Sequence, residues 1–155
     1  MSPSPMRGAE LDALETEIDA WFRLQLVENP VVAAVERGEP GERRWYVRVT
    51  GEQKDVFTIW FDLGQRTLRY ETYVMPAPEE NHAEFYEHVL RRNLRMHGAC
   101  FAIGDEDALF LVGALPNEAV SDSELDRVLG SMYAYVEQFF RPALRIGFAS
   151  RMGPG

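Results

Sequence analysis

Among 155 residues this sequence has one cysteine, Cys100, and one lysine, Lys54. A single thiol excludes an internal disulfide framework and sets the expectation of a reducing, cytoplasmic compartment. No stretch reaches the ~18 consecutive apolar residues that a membrane span requires, so no membrane partner is expected. The opening "MSPSPMRGAE" has no apolar core segment, and a signal peptide is not expected either. Positive charge is scarce: 16 basic against 25 acidic residues leave a net charge of −9. That field repels phosphate backbones, and nucleic acid is not an expected partner. The nucleotide-binding glycine loops, the G-x-S-x-G elbow and the H-E-x-x-H zinc helix do not occur.

What is present reads as one ordinary globular domain, 46% hydrophobic and 26% charged, spanning about 9–150 with frayed ends at 1–8 and 151–155. The first helix is expected from about Glu10 to Val27. At 100° per residue, Leu11, Leu14, Ile18, Trp21, Phe22 and Gln25 fall on one side. Asn29–Pro30 stops it, because the residue before proline avoids the helical region. "VVAAVER" is compatible with a short strand. Three clearer strands follow at Arg44–Thr50, Val56–Leu63 and Thr67–Met75, joined by turns short enough for antiparallel hairpins. Trp45, Val47 and Val49, with Phe57, Ile59, Phe61 and Leu63, and Leu68, Tyr70, Thr72 and Val74, form one apolar face. "ACFAIGD" and "ALFLVGAL" read as two more strands around the turn "GDED". "SDSE" from Ser121 has capping-box spacing and opens a third helix, expected to end or kink by Pro142. The order is helix, three or four strands, helix, two strands, helix: an α+β domain with an antiparallel sheet.

The segment "PAPEENHAEFYEHVLRRN" is the richest in functional side chains. On a helical wheel continued to His97, its apolar residues cover close to half the circumference, and Glu84–His88 and Glu87–Arg91 make i, i+4 pairs. His82 and His88, six residues apart, diverge by about 120°, so no metal site is expected. His82, Asn93 and His97 interrupt the apolar side. They read either as core-edge groups satisfied by hydrogen bonds or as tuning an interface with a second copy. That interface would use His82, Tyr86, Val89, Leu90 and Asn93. Glu79, Glu80 and Glu84 at the helix start are capping residues by default, with an acid–base role beside His82 as the enzymatic alternative. Cys100, in an apolar strand, reads as a buried, inert thiol.

The mixed face of the sheet carries Tyr46, Arg48, Val56, Trp60, Arg69 and Tyr73. Aromatics and arginine are enriched at protein-binding surfaces, and Tyr46, Arg48, Trp60, Arg69 and Tyr73 are the candidate partner-binding residues. The competing reading covers this face with another segment and pairs Glu71 with Arg48 or Arg69. No catalytic residue and no cofactor-binding residue is assigned.

The strings "RRWYVRVTGEQKDVFTIWFDLGQRTLRYETYVMPAPEENHAEFYEHVLRRN", "FAIGDEDALFLVG" and "LDRVLGSMYAYVEQFFRPALRIGFASR" resemble the actinobacterial branch of the YbjN-domain family of bacterial sensory-transduction regulators. That family is similar in fold to type III secretion chaperones, small acidic α+β dimers that hold an extended segment of a client protein. The resemblance implies no catalytic motif and a second helix at which two copies meet. A fourth strand near 31–35 departs from the chaperone pattern. The expectation is a non-enzymatic protein-binding domain, homodimeric, with an unidentified protein client and a regulatory or chaperone-like role. Its alternative is a small-ligand sensor with a pocket between helix and sheet.

Overall fold

The computed structural model describes residues 4–152. The elements are α1 (Gly8–Glu28), β1 (Val32–Arg37), β2 (Arg44–Thr50), β3 (Val56–Leu63), β4 (Thr67–Met75), α2 (His82–Asn93), β5 (Cys100–Ile103), β6 (Leu109–Pro116) and α3 (Asp122–Gly147). The six strands form one antiparallel sheet in the order β1-β2-β3-β4-β6-β5. This is the expected α+β architecture, with "VVAAVER" supplying the fourth strand before α2.

The alternating apolar set of each strand is buried, and the helices cover that side alone. The buried residues of α1 are the six on its apolar stripe, Leu11, Leu14, Ile18, Trp21, Phe22 and Gln25. Phe22 packs against Trp45 and Phe61, with ring centroids 5.8 and 4.7 Å apart. The Trp45 indole N–H, fully buried with its ring, donates to Asp19 Oδ1 at 2.9 Å, which fixes α1 over β2. Asn29 ends α1 by accepting the Val31 N–H on its side chain at 3.2 Å, turning the chain across Pro30 into β1.

Ser121 caps α3 by accepting the Glu124 N–H at 3.1 Å, while the Glu124 carboxylate turns to Arg127 rather than back to the cap. The helix does not stop at Pro142 but runs through it to Gly147. Pro142 and Gln138, whose carbonyl loses its partner, are both exposed, so water takes the place of the missing bond. Conversely, α2 ends at Asn93, four residues short of the expected His97. The Asn93 side chain is drawn onto β5, and the loop behind it is held by Tyr70, whose hydroxyl donates to Gly98 O at 2.6 Å. The Tyr70 ring lies across Gly113, where a Cβ would strike it and the Gly98 carbonyl. Within the ends expected to fray, the Met6 N–H donates to Gln65 O at 2.7 Å, and Arg151 is ion-paired with Glu79. Residues 1–3 and 153–155 lie outside the described residues.

Candidate protein-binding face

The antiparallel register fixes what stands beside what on the helix-free side. Tyr46 is opposite Trp60, which is opposite Glu71, which is opposite Val112 on β6. One row away, Arg48 is opposite Thr58, and Tyr73 is opposite Phe110. In the other direction, Arg44 is opposite Asp62, which is opposite Arg69. The result is two edge-to-face aromatic pairs, Tyr46–Trp60 at 5.3 Å and Tyr73–Phe110 at 5.7 Å. Trp60 is 43% exposed, Tyr73 45% and Val56 49%. No described segment covers them, so all five candidate residues, Tyr46, Arg48, Trp60, Arg69 and Tyr73, share one surface. A hollow of about 210 Å³ beside Trp60 is lined by Arg44, Asp62, Arg69, Glu71 and Val112.

The expected pairing of Glu71 with Arg48 or Arg69 is not made. The register sets Glu71 opposite Trp60, and sets Arg44 opposite Asp62, whose carboxylate it takes at 3.3 Å. Sequence reasoning also missed Lys54 and Phe110. Lys54 sits at the end of this face, donating to Tyr73 O at 3.0 Å and Val74 O at 2.7 Å, with Nζ 5.1 Å from the Tyr73 ring centroid. Burial lowers its pKa to about 8. Its turn is held from α3 by Glu137, which accepts the N–H groups of Glu52, Gln53 and Lys54.

A second apolar surface lies where α2 meets β5. Tyr86, Val89 and Leu90 face Phe101, Ala102, Ile103 and Leu109 across an open cleft of about 280 Å³. Leu90 is 69%, Leu94 88% and Ile103 57% exposed. Of the five residues proposed for a contact between copies, Tyr86 and Leu90 present this surface, and Val89 is its buried floor. His82 is exposed at the helix start and does not line the cleft, and Asn93 is bound to β5. Ile103 completes the patch, and Leu94 is exposed just beyond the end of α2. The exposure of Ile103 follows from β5 being an edge strand. Cys100, expected to be buried, is exposed, because its parity on β5 is that of the open face, opposite Val112. On the inner side of α2, His88 stacks on Phe139 at 5.4 Å with Nε2 buried and unpartnered, and burial lowers its pKa.

The acidic start of α2 is a clasp on the end of α3. Glu79 pairs with Arg151 at 2.6 Å, and Glu80 accepts the N–H and hydroxyl of Ser150, bonds that hold its carboxyl below the usual range. Asn81, left-handed at φ 54°, donates to Ile146 O at 2.9 Å. His97 is held through its backbone by the Tyr135 hydroxyl at 3.0 Å. Among the described residues no group of three or more His, Cys, Asp or Glu side chains is placed to hold a metal, and no helix is long and apolar enough to cross a membrane.

Residues 24–145 match the YbjN family, described as "Putative bacterial sensory transduction regulator", and the chain belongs to that family. It is 34% identical over 104 residues to an uncharacterized protein of Mycobacterium tuberculosis, covering 67% of this chain and 57% of the relative. A Mycobacterium leprae relative, also uncharacterized, is 31% identical over 110 residues, covering 71% of this chain and 60% of the relative. The matched part thus spans less than two-thirds of those relatives. In fold the chain is similar to the Yersinia pestis type III secretion chaperone SycH, solved in complex with a stable fragment of YscM2. The TM-score is 0.52 at 17% identity, over 79% of this chain and 96% of that one.

Proposed function

We propose that this chain is a non-enzymatic, cytoplasmic protein-binding domain with a regulatory or chaperone-like role, working as a homodimer. The open sheet face carries the proposal. Three helices bury one side of the sheet, while the other presents the Tyr46–Trp60 and Tyr73–Phe110 pairs to solvent. Desolvated aromatics beside arginine are the side chains that dominate binding energy at protein interfaces. The complex of SycH with a YscM2 fragment supports a protein client for this fold. The α2–β5 patch, apolar and continuous with an edge strand, suits a second copy. The same cleft is the support for a small-ligand sensor, but its lining offers no converging polar groups to orient a ligand. Comparing partners captured from native lysate by the wild type and by a Trp60→Ala, Tyr73→Ala variant tests the client face. Loss of specific partners is expected; recovery of the same partners in the same amounts would end this reading.

A further inference from the structure

This inference rests on the reading that a protein partner occupies the open face, and concerns the conformation and charge of that partner. A segment docking on a sheet must satisfy its own backbone, either by adding to an edge strand or by bonding within itself as a helix. The edge strands β1 and β5 do not border Trp60, whose strand β3 lies between β2 and β4, and each edge is taken up in part by a helix side chain. On β5, a strand of four residues, the Asn93 amide takes both outward groups of Phe101, accepting its N–H at 2.7 Å and donating to its carbonyl at 3.2 Å. On β1, Arg23 donates to the Val35 carbonyl at 3.2 Å. An extended segment pressed flat onto Trp60 would lose water from its peptide groups and find only the scattered side chains of Arg48, Arg69 and Glu71 to replace it. A helix loses nothing of the kind.

Charge points the same way for composition. Arg44 is neutralised by Asp62 and Glu42, at 3.3 and 3.4 Å. Arg48 and Arg69 have no carboxylate within ion-pair range among the described residues, although the chain carries a net charge of −9. The register sets them at opposite ends of a diagonal with Trp60 at its middle and Tyr46 and Tyr73 to either side. That diagonal spans two strand spacings and four residue rises, about 16 Å between backbones. Eleven residues of α-helix rise about 16 Å and return to the same side after about three turns. We infer that the partner docks as an amphipathic α-helix along this diagonal, its apolar side on Trp60 and its carboxylates, about eleven residues apart, on Arg48 and Arg69.

The test is a phage-displayed library of random peptides of about 18 residues, five helical turns. It is selected on the full chain and counter-selected on the Trp60→Ala, Tyr73→Ala variant, whose thermal midpoint verifies its fold. Enriched peptides should place apolar residues at i, i+3 or i+4, and i+7, with Asp or Glu flanking them. They should lose at least tenfold in affinity when proline is placed mid-segment, and tenfold or more against an Arg48→Glu, Arg69→Glu chain, which should itself select basic flanks. Peptides of alternating period two, indifference to proline, or no exchange of charge preference would overturn the helical, acidic partner and leave the face reading standing. Failure to find any peptide that distinguishes the chain from its Trp60→Ala, Tyr73→Ala variant would overturn the face reading itself.

Discussion

The side-chain amide of Asn93, the last residue of α2, binds Phe101 on β5 as a neighbouring strand would, accepting its N–H at 2.7 Å and donating to its carbonyl at 3.2 Å. One amide therefore ends the helix, fixes the edge strand against it, and occupies the outward backbone groups of Phe101 on that edge.

Replacing Asn93 with Ala leaves both Phe101 groups without that partner. The expected cost is about 1–2 kcal/mol, read from the urea midpoint at constant m-value. Asp at this position keeps the acceptor but sets a charge against the carbonyl, and should be at least as destabilising. Unchanged midpoints in both variants would show that the Asn93–Phe101 bonds contribute nothing.

His88 gives stability a sign with pH. Burial is the main cause lowering its pKa from 6.5, with the Arg92 charge adding to it. Above pH 6.5 the imidazole is neutral in both states; as pH falls through 6.5 the unfolded chain takes up the proton first, and stability declines until the lower folded pKa is passed. His88→Phe, which keeps a ring on Phe139, should lose less stability than the wild type between pH 7.5 and 5. Equal slopes would refute this.

Lys54 acts in the alkaline range. Its folded pKa of about 8 lies below the usual 10.5, so between these values the unfolded chain holds more protons and stability rises with pH. Tyr70, Tyr73 and Tyr133, whose pKa values are raised, oppose this only above about pH 10. Thermal midpoints measured from pH 8 to 10 should rise for the wild type relative to Lys54→Met. A parallel pair of curves would remove the buried ammonium as their cause.

The α2–β5 patch predicts the state of assembly. Light scattering at micromolar concentration should give twice the 17.7 kDa chain mass, and Leu90→Asp with Ile103→Asp should halve it while the helical signal persists. A monomeric wild type would remove the second copy from this surface.

Much of this was legible in one dimension because it depends on period alone. The stripe of α1 and the alternation of β2, β3 and β4 match the buried residues, since a half-buried element must repeat its apolar positions at its own pitch. The candidates Tyr46, Arg48, Trp60, Arg69 and Tyr73 came together for the same reason. The end of α2 was not legible, because Leu94 and Met96 continue a helical pattern that Asn93 interrupts by bonding to a strand yet to come. Nor was the passage of α3 through Pro142, which required knowing that the orphaned carbonyl faces water.

The sequence by itself determined which residues of α1 and of β2 to β4 turn inward, and with them the α+β class, because apolar burial follows repeats written along the chain. Strand order and register, the exposure of Cys100 and Ile103, and the lack, among the described residues, of a carboxylate beside Arg48 and Arg69 next to a paired Arg44 were decided only in three dimensions. Each depends on which backbone lies next to which, a choice made by hydrogen bonds between segments far apart in the chain.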